Sequence, residues 1–586
     1  MTTDIRPRRY LKTFFGLALA LAPLAASQLG WAQSAVVDPD MYEARQAVKA
    51  DTVFLNGEIK TATGWTSALA VREGVIVALG QDVDAFTGPD TQVIDLAGKT
   101  MLPGLYDMHV HAQFAGMEKL FSCSLPSSAG LGAVTEIVRN CVARSNAGDW
   151  IEGGNWVAGA FAQGEMHRKY LDDVSPDNPV VLNDEAHHSI WVNSAALKQA
   201  GIGRDTPEVS GGVIERDENG EPTGVFRETA VDLVIRHMPP PSLEAKRQAI
   251  EYASQTMLSY GITSFTNAST RYGDIQALSD LAASGAIKQR VRGCIVWNPA
   301  PEFSRTATEA LIRDRFHYAK GRLKLDCVKM FLDGVPTESH TGAMLEPYVR
   351  ASHDEAATKG ILFVPSDMLR DVVTRFDREG LHVKFHATGD AAVRAAIEVV
   401  AHARQENGDG GPAHTVAHAS FVAPEDFAKA KQAGVTWEFS PYIWYPTPIT
   451  ADVAKAVGWG RMDRFVPIRD ALMSGANVIA GSDWSVVPSV NPWLAIETMV
   501  TRRTPGTGEP LNTGQAISIE EAMKIMTQNG ARAMGDADEV GILDLGMKAD
   551  MILVGQNPYK VQSNRIHETT TLQVYIDGSK VFERND

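Results

Sequence analysis

The residues PGLYDMHVH, Pro103 to His111, end an apolar run with an aspartate and two histidines one residue apart. Side chains at i and i+2 of a strand project from one face, so His109 and His111 can reach the same atom. The spacing alone says little, because 15 His in 586 residues supply roughly 0.4 HxH pairs by chance. Position says more. Two imidazoles buried without partners are costly, and a divalent metal removes that cost because neutral imidazole is a strong ligand. Three further residues of ligand type end other apolar runs: His386 in KFHATGD, His418 in TVAHAS and Asp483 in AGSDW. Each histidine alone also reads as a satisfied core or loop residue; five such residues together read as a metal site. Asp390, in the first of these motifs, reads instead as a helix N-cap.

Lys329, in DCVKMFLDG, sits inside an apolar run, where an unpaired ammonium is expensive and the amine is driven toward neutrality. A neutral lysine can add CO₂ and become a carbamate, a carboxylate able to bridge two metals. The alternative is an ion pair with a carboxylate such as Asp333. Lys384, two residues before His386 and on the same face, is a rival for any lysine role. The expected cofactor is a divalent metal, one or two per chain, bridged by carboxylated Lys329 if two. Zinc is the first expectation, although N/O ligands also suit manganese, iron and cobalt.

Elements that could bring these residues together are visible in the patterning. Apolar strands ending in polar residues alternate with helices of helical period: GLYDMHVH, GITSFTNAS, QRVRGCIVW, LKLDCVKMFLDG, LHVKFHATGD, HTVAHAS, GVTWEFSP and ANVIAGSDW. Eight strand–helix units predict an α/β fold, a (β/α)₈ TIM barrel, with the reactive residues at the C-terminal strand ends. The barrel is expected over 103–539, with a long insertion at 112–241 after the first strand, read as a lid or substrate-binding subdomain. Short strands with glycine turns at 33–102 and again at 540–586 predict one small β-sandwich domain built from both ends of the chain.

The first 32 residues combine Arg6, Arg8, Arg9 and Lys12 with an apolar stretch from Phe14 to Ala26 and small residues at Gly30 and Ala32. They read as a secretory signal peptide too short for a good membrane span, against the alternative of an uncleaved anchor. The expected location is periplasmic or secreted, and Arg8-Arg9 hints at twin-arginine export. The net charge is −16 and becomes more negative on cleavage. Without a basic cluster, such a chain is not expected to bind nucleic acid or anionic membranes. Four cysteines, Cys123, Cys141, Cys294 and Cys327, are too few for a disulfide framework. Cys123 and Cys141 could pair in an oxidising compartment, with buried free thiols the alternative. A homodimer is the default oligomer.

HxH on the first strand, Lys on the fourth, His on the fifth and sixth and Asp on the eighth resemble the amidohydrolase superfamily. GGNW, HSIWVNSAAL, PTGVFRE, VKMFLDG and HATGDAAV are similar to the branch that includes N-substituted formamide deformylase, over roughly Asp51 to Phe582. The resemblance implies that His109, His111 and Asp483 hold a first metal, His386 and His418 a second, with carboxylated Lys329 between them. SHTGAM stands where SRTAAL is common in the branch, so His340 replaces an arginine. In the chemistry implied, a metal lowers the pKa of bound water toward ~7. Asp483 takes its proton and later passes it to the leaving amine. His188 and His340 are candidates to polarise the carbonyl, though His188 could equally be structural. Tyr442, Trp444 and Tyr445, with Trp156 and Trp484, suggest a small-molecule substrate with an apolar or aromatic group; packing of the insertion is the alternative. The expected function is an exported metal-dependent amidohydrolase acting on a non-peptide C–N bond. The alternatives are other hydrolase or lyase chemistry on the same scaffold, and a binding or regulatory protein without turnover.

Overall fold

The computed structural model describes residues 48–585 apart from 127, 163, 185–188, 210, 211, 299–304, 338, 339, 351–357, 445–447 and 507. The expected signal peptide, His188 and Tyr445 lie outside the described residues. All the described residues but Val48 fall in one unit, Lys49–Asp586.

Eight parallel strands follow one another in chain order. They are β1 (Leu105–Val110), β2 (Ile262–Thr270), β3 (Arg290–Trp297), β4 (Leu323–Phe331), β5 (His382–Ala387), β6 (Thr415–His418), β7 (Thr436–Phe439) and β8 (Val478–Ala480). All eight expected segments form strands of this barrel. Every residue of β1, β2 and β3 is buried, as a parallel sheet covered by helices requires. The ring closes just past β8, where Asp483 N donates to His109 O at 2.7 Å and His111 N donates to Trp484 O at 2.6 Å.

Helix α1 (Ala112–Phe121) follows β1 at once, and α2 (Leu243–Ser259) starts at Ser242, whose hydroxyl accepts from Ala245 N, a standard N-cap. The two helices cross backbone to backbone: a Cβ on Gly116 would lie 1.9 Å from Ala249 O. Further helices, α3 (Tyr272–Ser284), α4 (Ser366–Arg378) and α5 (Asp390–Asn407), cover the barrel. Asp390 is the first residue of α5 rather than its cap, and its Oδ1 accepts from Leu345 N at 2.7 Å.

Between α1 and α2 lies a six-stranded sheet spanning Cys123 to Glu228, its strands side by side in chain order except that Pro222–Glu228 stands between Ser189–Val192 and Gly212–Arg216. The inserted sheet therefore begins after the first helix rather than directly after the first strand. A second six-stranded sheet joins the chain ends: Met551–Val554 pairs antiparallel with Thr100–Pro103 and with Thr571–Ile576. Phe54 and Leu69 of a neighbouring four-stranded sheet pack with Met101, Leu553 and Tyr575 in one apolar cluster, giving the composite sandwich. Among the described residues no helix is long and apolar enough to cross a membrane.

All four cysteines are paired. Cys123 joins Cys141 in the insertion, and Cys294 joins Cys327 across the neighbouring strands β3 and β4. The second pair was not legible because strand alternation makes β3 and β4 neighbours without fixing the register that sets Cys294 opposite Cys327. The aromatic residues expected at a binding mouth are largely core. Trp156 is fully buried in the insertion with Nε1 donating to Leu182 O, and Trp444 is fully buried beneath the Arg502 guanidinium. Packing, not an open wall, explains both.

Candidate metal centre

Extended backbone turns Asp107 and His109 of β1 to one side, and His111 follows at the strand's exit. The residues past β8 bring Asp483 to them. Its Oδ1 lies 3.2 Å from Nε2 of His111 and 3.5 Å from Nε2 of His109. One ligand atom from each of the three falls within 4.8 Å of the others. His418, ending β6, puts Nδ1 3.8 Å from Oδ2 of Asp483, with its ring 4.7 Å from that of His109. The ring of His386, from β5, stands 4.5 Å from that of His418. Lys329 of β4 brings Nζ to 3.4 Å from Nε2 of His109 and lies over the Phe331 ring. Six of the residues singled out by their types thus converge at the ends of five barrel segments.

His340 does not join them. It lies in the loop after β4, stacked at 4.6 Å on Tyr348. Among the described residues no hydrogen bond or ring contact links it to the cluster. His418 (φ 70) and Asp483 (φ 63) both hold left-handed backbone, a strain that non-glycine residues retain chiefly at functional sites.

The electrostatics suit a cation. Burial drives His109 and His418 well below the ordinary imidazole range, and neighbouring positive charge adds to it, so both are neutral and able to ligate. Burial pushes the Asp483 carboxyl up, but the close approach of His111 leads the effects that outweigh it and hold the carboxyl ionised. Burial, then the charge of Lys384, brings the Lys329 amine down to about 7. Nδ1 of His111 is buried with no hydrogen-bond partner, and Oδ1 of Asp483 forms no hydrogen bond. A set of neutral imidazoles, one ionised carboxylate and unspent buried lone pairs fits a divalent metal.

Asp333, weighed as a partner for Lys329, is spent elsewhere. Its carboxylate accepts from Ala343 N (2.9 Å), Gly389 N (2.9 Å), Thr388 N (3.0 Å) and the Thr388 hydroxyl. Among the described residues Lys329 donates to no carboxylate. Lys384, the rival lysine, is bound to Glu438 and donates to Met108 O at 2.9 Å.

Two acidic residues escaped the reading of the sequence. Asp107 stitches β1 to the exit of β8, accepting from His109 N at 3.1 Å and Ser482 N at 2.9 Å. Glu438 of β7 receives Nδ1 of His109 at 2.5 Å. The available signal was a charge inside the apolar run VTWEF, matched by Lys384 inside another.

The model of the amidohydrolase family matches residues 92–582. An N-substituted formamide deformylase from Arthrobacter pascens is 27% identical, over 91% of this chain and 98% of that one. Protein LONG AFTER FAR-RED 3 of Arabidopsis thaliana is also 27% identical, over 97% of each chain. A crystal structure of an uncharacterized metal-dependent hydrolase from Pyrococcus horikoshii shares the fold with a TM-score of 0.70 at 23% identity, covering 87% of this chain and 99% of that one.

Proposed function

The chain belongs to the amidohydrolase family, and from that premise we propose that its barrel mouth hydrolyses a non-peptide C–N bond in an amide, a formamide or a cyclic amide. The observation that carries the reading is the convergence of His109, His111 and Asp483 within 4.8 Å at the strand ends. The formamide deformylase activity named for the Arthrobacter relative supports the bond type. His109, His111 and Asp483 would hold one divalent cation, zinc in the first instance, and His386 and His418 a second. Lys329 would bridge them as its carbamate: its Nζ lone pair bonds to the carbon of CO₂ and one proton leaves, so the new group carries a single negative charge. When bound, the cation supplies Lewis acidity, which brings a water's pKa toward neutrality and polarises a carbonyl. Asp483, held ionised, accepts the proton of the attacking water and returns it to the departing nitrogen. Phe114, 44% exposed and 6.1 Å from the His111 ring, and Phe331, 5.5 Å from the His386 ring, offer an apolar rim. A substrate with an apolar or aromatic group suits that rim.

The test couples metal analysis to turnover. Protein purified without chelator is assayed for amine release from formamides, amides and cyclic amides, before and after chelation. Activity lost on chelation and restored by zinc or manganese with bicarbonate is expected. A chain that retains its metal and cleaves none of these substrates overturns the reading in favour of other chemistry or a binding role. The two disulfides support a further part of the proposal, that the protein works outside the cytoplasm in an oxidising compartment. Thiol titration of the denatured, unreduced protein from its native compartment is expected to find none; four free thiols there would refute export.

A further inference from the structure

We infer that Glu438 is a positioning residue that locks His109 in its metal-binding tautomer, with Lys384 as the counter-ion that holds Glu438 in place. The inference rests on the metal-centre reading above. Glu438 lies in the middle of β7, 0% exposed, between Trp437 and Phe439. Its Oε1 is 2.5 Å from Nδ1 of His109, and Oε2 receives the Lys384 ammonium. That ammonium also donates to Met108 O, at 2.9 Å, so it is tied to the backbone of the same strand that carries His109. A carboxylate paired with an ammonium can only accept, so the proton of the Glu438–His109 bond belongs to Nδ1. In a neutral imidazole the lone pair is then on Nε2. That atom is the one 3.5 Å from Asp483 Oδ1 and 3.4 Å from Lys329 Nζ. The opposite tautomer would set a lone pair against a carboxylate oxygen and aim an N–H into the ligand cluster. The arrangement also separates the two buried lysines: Lys384 spends its donors on Glu438 and Met108, while among the described residues Lys329 donates to no carboxylate and keeps its amine for the site. An outer carboxylate on a ligating histidine fixes ring orientation and raises ligand basicity; here that carboxylate comes from β7, the next strand but one to the HxH strand around the ring.

The experiment reads metal binding rather than turnover. Glu438→Leu combined with Lys384→Met removes acceptor and counter-ion together, so no unpaired charge is left in the core. Cobalt(II) affinity by chelator competition, the visible cobalt spectrum and thermal unfolding of the metal-free chain are compared with wild type. The expected result is a folded variant whose first cobalt binds about 10–100-fold more weakly, with a shifted spectrum. A folded variant with wild-type affinity and spectrum overturns the inference, because a merely structural pair would alter melting alone. Wild type that binds no cobalt would count against the metal-centre reading instead. A second measurement needs no folded double variant. Two-bond ¹H–¹⁵N spectra of the metal-free wild-type chain, assigned with His109→Gln, should show His109 protonated at Nδ1, and protonation at Nε2 refutes the lock.

Discussion

Lys329 is the residue whose chemistry fits its surroundings least without a ligand. Its head group is buried, its Nζ stands 3.4 Å from a neutral imidazole, and burial with the charge of Lys384 brings the amine down to about 7. Lys329→Met keeps the length and removes the buried polar head. The metal-free variant is therefore expected to be more stable than wild type, by about 1–3 kcal/mol, while binding at most one divalent ion per chain. Calorimetry of the metal-free proteins and elemental analysis of the loaded ones check both halves. Equal stability would mean that the amine has a partner the geometry does not provide. The ligand residues were legible in the sequence because each is a polar residue ending an apolar run. Glu438 was not, because a carboxylate between Trp437 and Phe439 has no meaning until Lys384 and His109 are brought opposite it. His340 shows the converse: its type suggested chemistry, and the fold stacks it on Tyr348.

Strands and helices set how much room these residues have. A Cβ on Gly481, one residue past β8, would lie 2.3 Å from Cβ and 2.5 Å from the backbone N of His109. Gly481→Ala is expected to push β1 and the segment after β8 apart, costing about 1–3 kcal/mol and weakening metal binding. Retained cobalt affinity and melting would show that β1 yields more easily than a closed barrel should. At the other end of the strands, α4, α5 and β6 meet at Asp377. It accepts from His414 Nε2 at 3.0 Å and from Asn407 Nδ2 at 2.9 Å, and it pairs with Arg404. Burial pushes the Asp377 carboxyl up, but these partners bring it down to about 2. Burial lowers the His414 pKa, and its Nδ1 accepts from Val383 N, so Nε2 carries the donated proton. A carboxyl pKa lowered on folding stabilises the protein above its unfolded value near 4 and ceases to do so as pH falls through about 2. The loss over that window is on the order of 2 kcal/mol. Asp377→Asn should flatten the acid limb of stability between pH 4 and 2; an unchanged limb would assign acid sensitivity to other carboxylates. Strand order and barrel closure could be read from alternation alone. The start of the inserted sheet could not, since α1 is a short helix that packs like any other barrel helix.

At the scale of the whole molecule the C-terminal part of the sandwich is tied to the barrel by a buried charge. Arg290, the first residue of β3, donates Nε to Asp550 Oδ2 at 2.9 Å and Nη2 to Asp577 Oδ1 at 2.8 Å. Asp550 precedes the strand that pairs with Thr100–Pro103, and Asp577 sits in the turn between the last two strands. Asp577 N also donates to Asp550 Oδ1 at 2.8 Å, and Arg322 adds a second guanidinium to Asp577. Removing one partner of a buried pair leaves the other charge stranded. Arg290→Met is therefore expected to cost about 3–5 kcal/mol. Adding Asp550→Asn removes the stranded charge and should return most of that loss. Because the sandwich sheet contains strands from both termini, it cannot form before the barrel has brought those termini together. Thermal unfolding of the metal-free wild type should accordingly be one transition, with Arg290→Met lowering it as a unit. If Arg290→Met instead splits the melt, with an early step confined to the sandwich, the bridge fastens two structures that fold separately. A single shifted transition, restored in the double variant, would establish that the C-terminal strands complete the fold on which the metal centre depends.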